Sequence, residues 1–545
     1  MDPCLTQEIP VSIPPWRKYS GVPRIKGYSE VTSLTPILEV FFGKQPDHEG
    51  QIQSDDLFGR LIEFEGSGEC ILETVGKKRR KAFCKVTHLL DPIHTIQSYY
   101  SDSVKGQRRK NEKLSNPTNQ AFVDSLANYL LGQLRQRNLS PHFCCFYGAF
   151  KGVAEKYRYN ITTEFDSYRR YKKFWERRKS GAFTLHIEHE YDEERMDENS
   201  SHWLLHTPKS SLRSTEFDYS TPRSGNTSYS EKSHITLHDL ASTETTLPAT
   251  NTLVELESIG TFASSPETSE SGSTYSDVEE DLSVFIELKD YPVMLIFQEN
   301  MEGVLDDLLE EEEMEEAKWT AWTFQIIAAL CAAQGVLGFT HNDLHTNNIV
   351  WRETQESWLF YKTRDGTVFR VPTFGKILSI IDFGRAIFRV NSTWFISDDY
   401  VKGGDAEGQY NFGSILKENK PFIYPNPSFD LCRYAVSIID ALFPEMPTEI
   451  ADGLVLSKEG SWIIRETVSP LWNLLWSWLI DEEGRNVLYD EDKTERFPDF
   501  DLYQHISTHI KGAKPQEQIH KEIFSTYKLS SKDIGEWETV YPLFT

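Results

Sequence analysis

Two short segments hold residues whose types and spacing could move a phosphoryl group. The first is Gly338-Phe339-Thr340-His341-Asn342-Asp343-Leu344-His345-Thr346-Asn347-Asn348-Ile349-Val350. It sets a carboxylate, Asp343, a short way before an amide, Asn348. The second is Ile380-Ile381-Asp382-Phe383-Gly384, a carboxylate after an apolar run and before a glycine. Phosphoryl transfer asks a protein for positioning and charge neutralisation more than for covalent help. Asp343 would accept or orient the proton of an attacking hydroxyl. Asn348 and Asp382 offer oxygens, the ligand type that Mg2+ takes. His341 reads as structural, packing the loop from beneath, and Gly384 lets the backbone turn sharply.

The first segment reads H-x-D-L-x-x-x-N and the second D-F-G, each beside an apolar strand-like run, Ile349-Val350-Trp351 and Ile377 to Ile381. In this order they resemble the catalytic loop and metal-binding motif of the protein kinase superfamily. The wording F-T-H-N-D-L-H-T-N-N-I, I-I-D-F-G-R-A and S-F-D-L-C-R is also similar to divergent serine/threonine kinases encoded by large viruses with DNA genomes. The resemblance runs from about Leu57 to Leu442, less an insertion. It implies an α+β, two-lobed kinase-like fold: a small antiparallel β N-lobe with one C-helix and a mainly helical C-lobe. It also implies ATP and Mg2+ as cofactors, with Asn348 and Asp382 on the metal.

These residues need elements to hold them. Leu57 to Val86 reads as three antiparallel strands, with a turn at Glu65 to Glu69 and a third strand over Lys81 to Val86. In the turn, Gly66, Ser67 and Gly68 are small enough for backbone N–H groups to approach phosphates, although an ordinary hairpin turn has the same composition. The third glycine of G-x-G-x-x-G is replaced by Ile71. Lys85 alternates with apolar neighbours, and the resemblance gives it the phosphates and an acid on the next helix; Lys78 and Lys81 are its rivals. That helix is predicted from Asn116 to about Arg135, and it holds no Glu. Asp124 is the acid available, one methylene shorter. Phe143 to Phe150 and Tyr157 to Thr163 read as further strands, as do Ser283 to Leu288 and Pro292 to Gln298. The last leads to a hinge at Glu299, Asn300 and Met301, where kinases bind adenine through backbone groups. A buried helix over Trp319 to Leu337 stands behind the loop, and Phe429 to Phe443 forms a helix whose Asp430 would accept hydrogen bonds from the loop backbone.

The domain reading is an N-terminal arm at 1–45, a first part of the N-lobe at 46–167, a Ser/Thr-rich acidic insertion at 168–282, last strands and hinge at 283–300, and a C-lobe at 301–545. Residues from about His189 to Leu282 lack periodic apolar positions, which predicts disorder. Thr207-Pro208, Thr221-Pro222 and Ser265-Pro266 within it are candidate phosphoacceptors. Tyr168 to Lys179 is basic and aromatic at helical spacing; it would bind an acidic partner, a membrane surface or nucleic acid, or be a solvated helix that neutralises the acidic neighbour.

The 545 residues carry a net charge of -26, which argues against nucleic acid as a specific partner. The seven cysteines show no C-x-x-C pair and fit reduced thiols. No signal peptide or transmembrane run is evident, so the chain reads as soluble, intracellular and cytoplasmic. The run Lys77 to Lys81 would pass as a nuclear signal, or equally as a solvated turn. Asn342 stands where kinases carry the Arg of H-R-D, and no A-P-E follows, which speaks against a phosphate switch on the following segment. Three functions remain: a serine/threonine protein kinase acting on a protein hydroxyl; a small-molecule kinase of the choline or aminoglycoside type, whose motif carries a histidine where His345 stands, as that of haspin-type protein kinases does too; and a catalytically dead pseudokinase scaffold.

Overall fold

In the computed structural model the chain is a mixed α+β protein with a curled antiparallel sheet and several helices. The structure describes residues 25–33, 35–42, 58–64, 68–189, 282–390, 392–445, 447, 454–456, 462–464, 467–490, 494–498, 500–529 and 539–545. The expectations for the start of the arm, for Gly66 and Ser67, and for disorder over 190–281 lie outside them.

The main sheet comprises β1 (Tyr28–Thr32), β2 (Phe58–Phe64), β3 (Glu69–Thr74), β4 (Arg79–His88), β5 (Phe146–Asn160), β6 (Thr184–His189) and β7 (Leu282–Glu299). Their order is β1-β5-β7-β4-β3-β2, with β6 on the remaining length of β7. Alternation builds it. In β3, Cys70, Leu72 and Thr74 are buried while Glu69, Ile71 and Glu73 are not, the period of two of a half-buried strand.

Two expectations need correction, and three further elements were not foreseen. The strands read separately at Phe143 to Phe150 and Tyr157 to Thr163 are one long strand, β5, followed by a helix at Thr162–Tyr168. Those read at Ser283 to Leu288 and Pro292 to Gln298 are likewise one strand, β7. Pro292 is tolerated there because it falls where one edge of β7 passes from β6, paired with 282–287, to β4, paired with 293–299. A proline without an N–H costs a ladder little at such a gap. Within the arm, Tyr28–Thr32 forms an edge strand on β5. Between 168 and His189, the helix Lys172–Lys179, which matches the helical spacing read there, buries Phe174, and β6 pairs with β7. An unforeseen helix, Val104–Ser115, precedes the predicted one.

The predicted helix runs Gln120–Gln136, capped by Asn119, whose side chain accepts from the Ala121 N–H. It is buried from Ala121 to Leu134. The helix Glu316–Leu337 is buried from Lys318 onward and ends at Gly338 with φ +54, a left-handed cap that suits glycine and opens the His341 segment. Among the described residues this helix alone is long and apolar enough to cross a membrane, and its apolar stretch is wholly buried, as in a core helix. Between the two motifs a hairpin pairs Trp358–Lys362 with Val368–Pro372.

Candidate active site

β4 delivers Lys85 from one side. Its ammonium lies 3.0 Å from Asp124 Oδ2 and 2.9 Å from Asp382 Oδ1. Burial disfavours the charged ammonium, but the two carboxylates outweigh it and hold the Lys85 pKa above its ordinary value. Burial pushes Asp124 up and Lys85 pulls it down. Its Oδ1 also accepts from Phe383 N at 2.9 Å and Asn128 Nδ2 at 2.9 Å. Burial and the neighbouring Asp382 leave the Asp124 pKa above its ordinary value, while the ammonium and two N–H donors favour its carboxylate form. The shorter side chain serves because the helix sits close.

The loop from Thr340 to Asn348 is held from below. Asp430, fully buried in the first turn of the helix Phe429–Leu442, accepts from His341 N at 2.9 Å and from Asn342 N at 2.9 Å. His341 lies under the loop as expected: its Nε2 donates to the Ile381 carbonyl at 2.8 Å and its Nδ1 accepts from Asp343 N at 3.3 Å. Asn342 and Asp382 take left-handed φ values of +66 and +63, strained for side-chain-bearing residues and held by their surroundings. The Asn342 side chain is buried; it donates to the Arg385 carbonyl at 3.0 Å and accepts from the Tyr410 hydroxyl at 2.6 Å. Neutral hydrogen bonds therefore hold the Asn342 side chain in place.

Asp343 faces the cleft, 24 % exposed. Burial raises its pKa, but Arg385, His345, Arg433 and the Tyr503 hydroxyl overcome this and hold it well below the carboxylate range. So strongly ionised a group orients a proton more than it abstracts one. Asn348 Nδ2 donates to the Asp343 carbonyl at 2.9 Å and to His345 Nε2 at 3.1 Å. A carbonyl can only accept, which fixes the amide and leaves Oδ1 as its free oxygen. Burial lowers the His345 pKa to about 4, so the ring is neutral. Asp382 keeps Oδ2 without a hydrogen-bond partner among the described residues. Oxygen donors of this kind fit a hard divalent cation.

Lys85, Asp124, Asp343 and Asp382 line one cleft of about 160 Å3, with Arg385, Asp91 and Asp405. Of the other sequence candidates, Gly68 has φ +91, and a Cβ there would meet the Phe83 ring at 2.8 Å. Glu299, Asn300 and Met301 do not line the cleft. Glu299 pairs with Ala82 on β4, and Lys85 with Ile296. Glu299 is spent on Cys145, through its N–H at 2.9 Å and its carboxylate at 3.0 Å, while the backbone groups of Asn300 and Met301 make no backbone hydrogen bond among the described residues.

The sequence reading missed Asp398, Arg385, Arg433 and Tyr503. Asp398 ties the segment after Asp382 to the helix bearing Asp124. Its carboxylate lies 2.5 Å from Lys113 Nζ, accepts from Asn116 Nδ2 at 3.2 Å, and accepts from Gln120 N at 3.2 Å. A carboxylate at a helix N-terminus is favourable. Asp398→Ala is expected to cost about 3 kcal/mol in urea unfolding, the range for breaking a buried pair. A loss below about 0.5 kcal/mol would contradict the tie. Next to it, burial and then Asp405 push Asp399 up to about 7. The folded state thus keeps a proton that the unfolded chain releases near pH 4, and stability falls as pH rises from about 4 to 7. Asp399→Asn is expected to gain melting temperature over wild type at pH 8 relative to pH 5; an equal difference at both would contradict this.

Glu482, Glu483 and His509 form a second group that could hold a metal. They are already paired, His509 with Glu482 at 2.9 Å and Glu483 with Arg485 at 2.8 Å. Compared with models of known protein families the chain matches none, and comparison with curated proteins returned no match.

Proposed function

We propose that the protein is an ATP-dependent phosphotransferase of the protein kinase type, with two lobes meeting at this cleft, and that it moves the γ-phosphate to a serine or threonine hydroxyl of a protein. The observation that carries the reading is Lys85 bridging Asp124 and Asp382, in one cleft with Asp343. Lys85, held by two carboxylates, would meet the nucleotide phosphates. Asp382 and Asn348 would hold Mg2+, which when bound neutralises the phosphate charge. Asp343 would orient the acceptor hydroxyl. The hydroxyl oxygen bonds to the γ-phosphorus as the bond from that phosphorus to the β-phosphate oxygen breaks and ADP leaves, and the hydroxyl proton is lost late in the transfer rather than abstracted beforehand. Asn300 and Met301, which lie outside the cleft lining, would offer backbone groups to adenine.

Lys85, Asp343, Asn348 and Asp382 are all present, which speaks against a dead scaffold. The Thr-Pro and Ser-Pro sites of residues 190–281 favour a protein acceptor over a small molecule, since acceptors in the same chain are reached at high effective concentration. Transfer of label from γ-labelled ATP with Mg2+ tests the reading: label on serine or threonine supports it, and turnover without protein label would move the acceptor to a small hydroxyl compound.

A further inference from the structure

Tyr503 comes from the helix Phe500–His509, far along the chain from Asp343. Its hydroxyl donates to Asp343 Oδ1 at 2.6 Å. The direction of this bond is fixed by a second one. Arg433 Nε donates to the same hydroxyl at 3.1 Å, and a guanidinium has no acceptor. The Tyr503 proton therefore has to point at Asp343. Arg433 sits on the helix whose Asp430 holds the loop backbone. One helix thus fixes the loop directly, through Asp430, and the carboxylate indirectly, through Arg433 and Tyr503.

The tyrosine is not a mobile plug. Its ring stacks on Phe500, with centroids 5.3 Å apart and planes 14° apart, and packs on Phe429 at 5.8 Å. The guanidiniums of Arg385 and Arg433 lie 5.7 Å and 5.5 Å from the ring centre. The other oxygen of Asp343, Oδ2, has Arg385 Nη1 at 3.4 Å, a long contact. Freed from Tyr503, the carboxylate could turn onto Arg385 as a two-pronged pair, the geometry that guanidinium and carboxylate favour. Both oxygens would then be spent.

We propose that Tyr503 is a positioning residue for the transfer reaction: it holds Oδ1 of Asp343 so that Oδ2 stays turned to the acceptor hydroxyl. The inference rests on the phosphotransferase reading above. Its test is Tyr503→Phe in the full chain, with ATP, Mg2+ and a serine-containing protein acceptor. One hydrogen bond to a charged group corresponds to about a 10- to 100-fold change. The expected result is a kcat lower by that factor, with KM for ATP within about two-fold of wild type. A kcat within two-fold of wild type would overturn the role. So would a higher kcat, which would mean that the hydroxyl blocks the acceptor's place. Tyr503→Phe is also compared with Asp343→Asn and the double variant in thermal unfolding. Non-additive melting shifts support the contact, and additive ones overturn it. A wild type that moves no phosphate would overturn the phosphotransferase reading together with the role, whereas an undiminished Tyr503→Phe rate overturns the role alone.

Discussion

Asp382→Asn is expected to lower phosphate transfer by about 1000-fold or more, the scale of several kcal/mol of charge stabilisation. The substitution keeps the shape of the side chain and removes its charge. Two things follow from the geometry. Lys85, 2.9 Å from Asp382 Oδ1 and 3.0 Å from Asp124, retains only one carboxylate partner. The cation-binding oxygens are reduced to neutral amides from Asn348 and the new side chain, and a hard dication binds carboxylate far better than amide. The Asp382 side chain is 40 % exposed, so its loss should barely change folding. Transfer and metal affinity should therefore fall while the melting temperature stays within a few degrees. Retention of activity within about ten-fold, checked by steady-state rates at several Mg2+ concentrations, would contradict the assignment.

Asp430→Ala is expected to be the most damaging single change for stability, about 3–5 kcal/mol in urea unfolding. Asp430 is fully buried, and its carboxylate accepts from His341 N at 2.9 Å and Asn342 N at 2.9 Å. Alanine leaves both N–H groups buried without partners, and each such group costs about 1–3 kcal/mol. The adjoining backbone has little tolerance, because Asn342 is held at φ +66. Burial raises the Asp430 pKa and the two donors oppose this; Asp430→Asn, which still offers one oxygen, should cost about half as much. Activity should fall with the alanine change even in the fraction that remains folded, since Asp343 follows Asn342 directly. A loss below about 1 kcal/mol would show that the loop is held some other way.

The residues proposed to do chemistry stand out in the sequence because chemistry would restrict both type and spacing over short stretches. Asp343, Asn348 and Asp382 stand in two local motifs, and β4 brings Lys85 to meet Asp124 and Asp382. Asp430 could be read as a buried acid needing donors, and it finds them in the loop backbone. Legibility failed where a residue's meaning depends on a distant partner. Gly152 and Pro292 interrupt two apolar runs and read as breaks. Pro292 instead sits between the pairing partners of β7. A Cβ on Gly152 would lie 3.2 Å from the Ser29 carbonyl; the glycine marks the close approach of β1, a strand hidden in what reads as an arm. Tyr503 carries no local signal at all. Arg433 carried a faint one, three residues after Asp430 on the same helix. Asp398 looks like an ordinary acid in an irregular segment until the fold sets it against Lys113 and Gln120.

The central claim is that Lys85, Asp343, Asn348 and Asp382 act together on a nucleotide phosphate. It is tested most directly by transfer of label from γ-labelled ATP with Mg2+, using wild type and Asp382→Asn side by side. Acidic and basic proteins and the chain itself serve as acceptors. The account predicts label on serine or threonine with wild type and almost none with the variant, at equal melting temperature. Failure of the wild type to bind or turn over ATP, or equal labelling by both proteins, would contradict it.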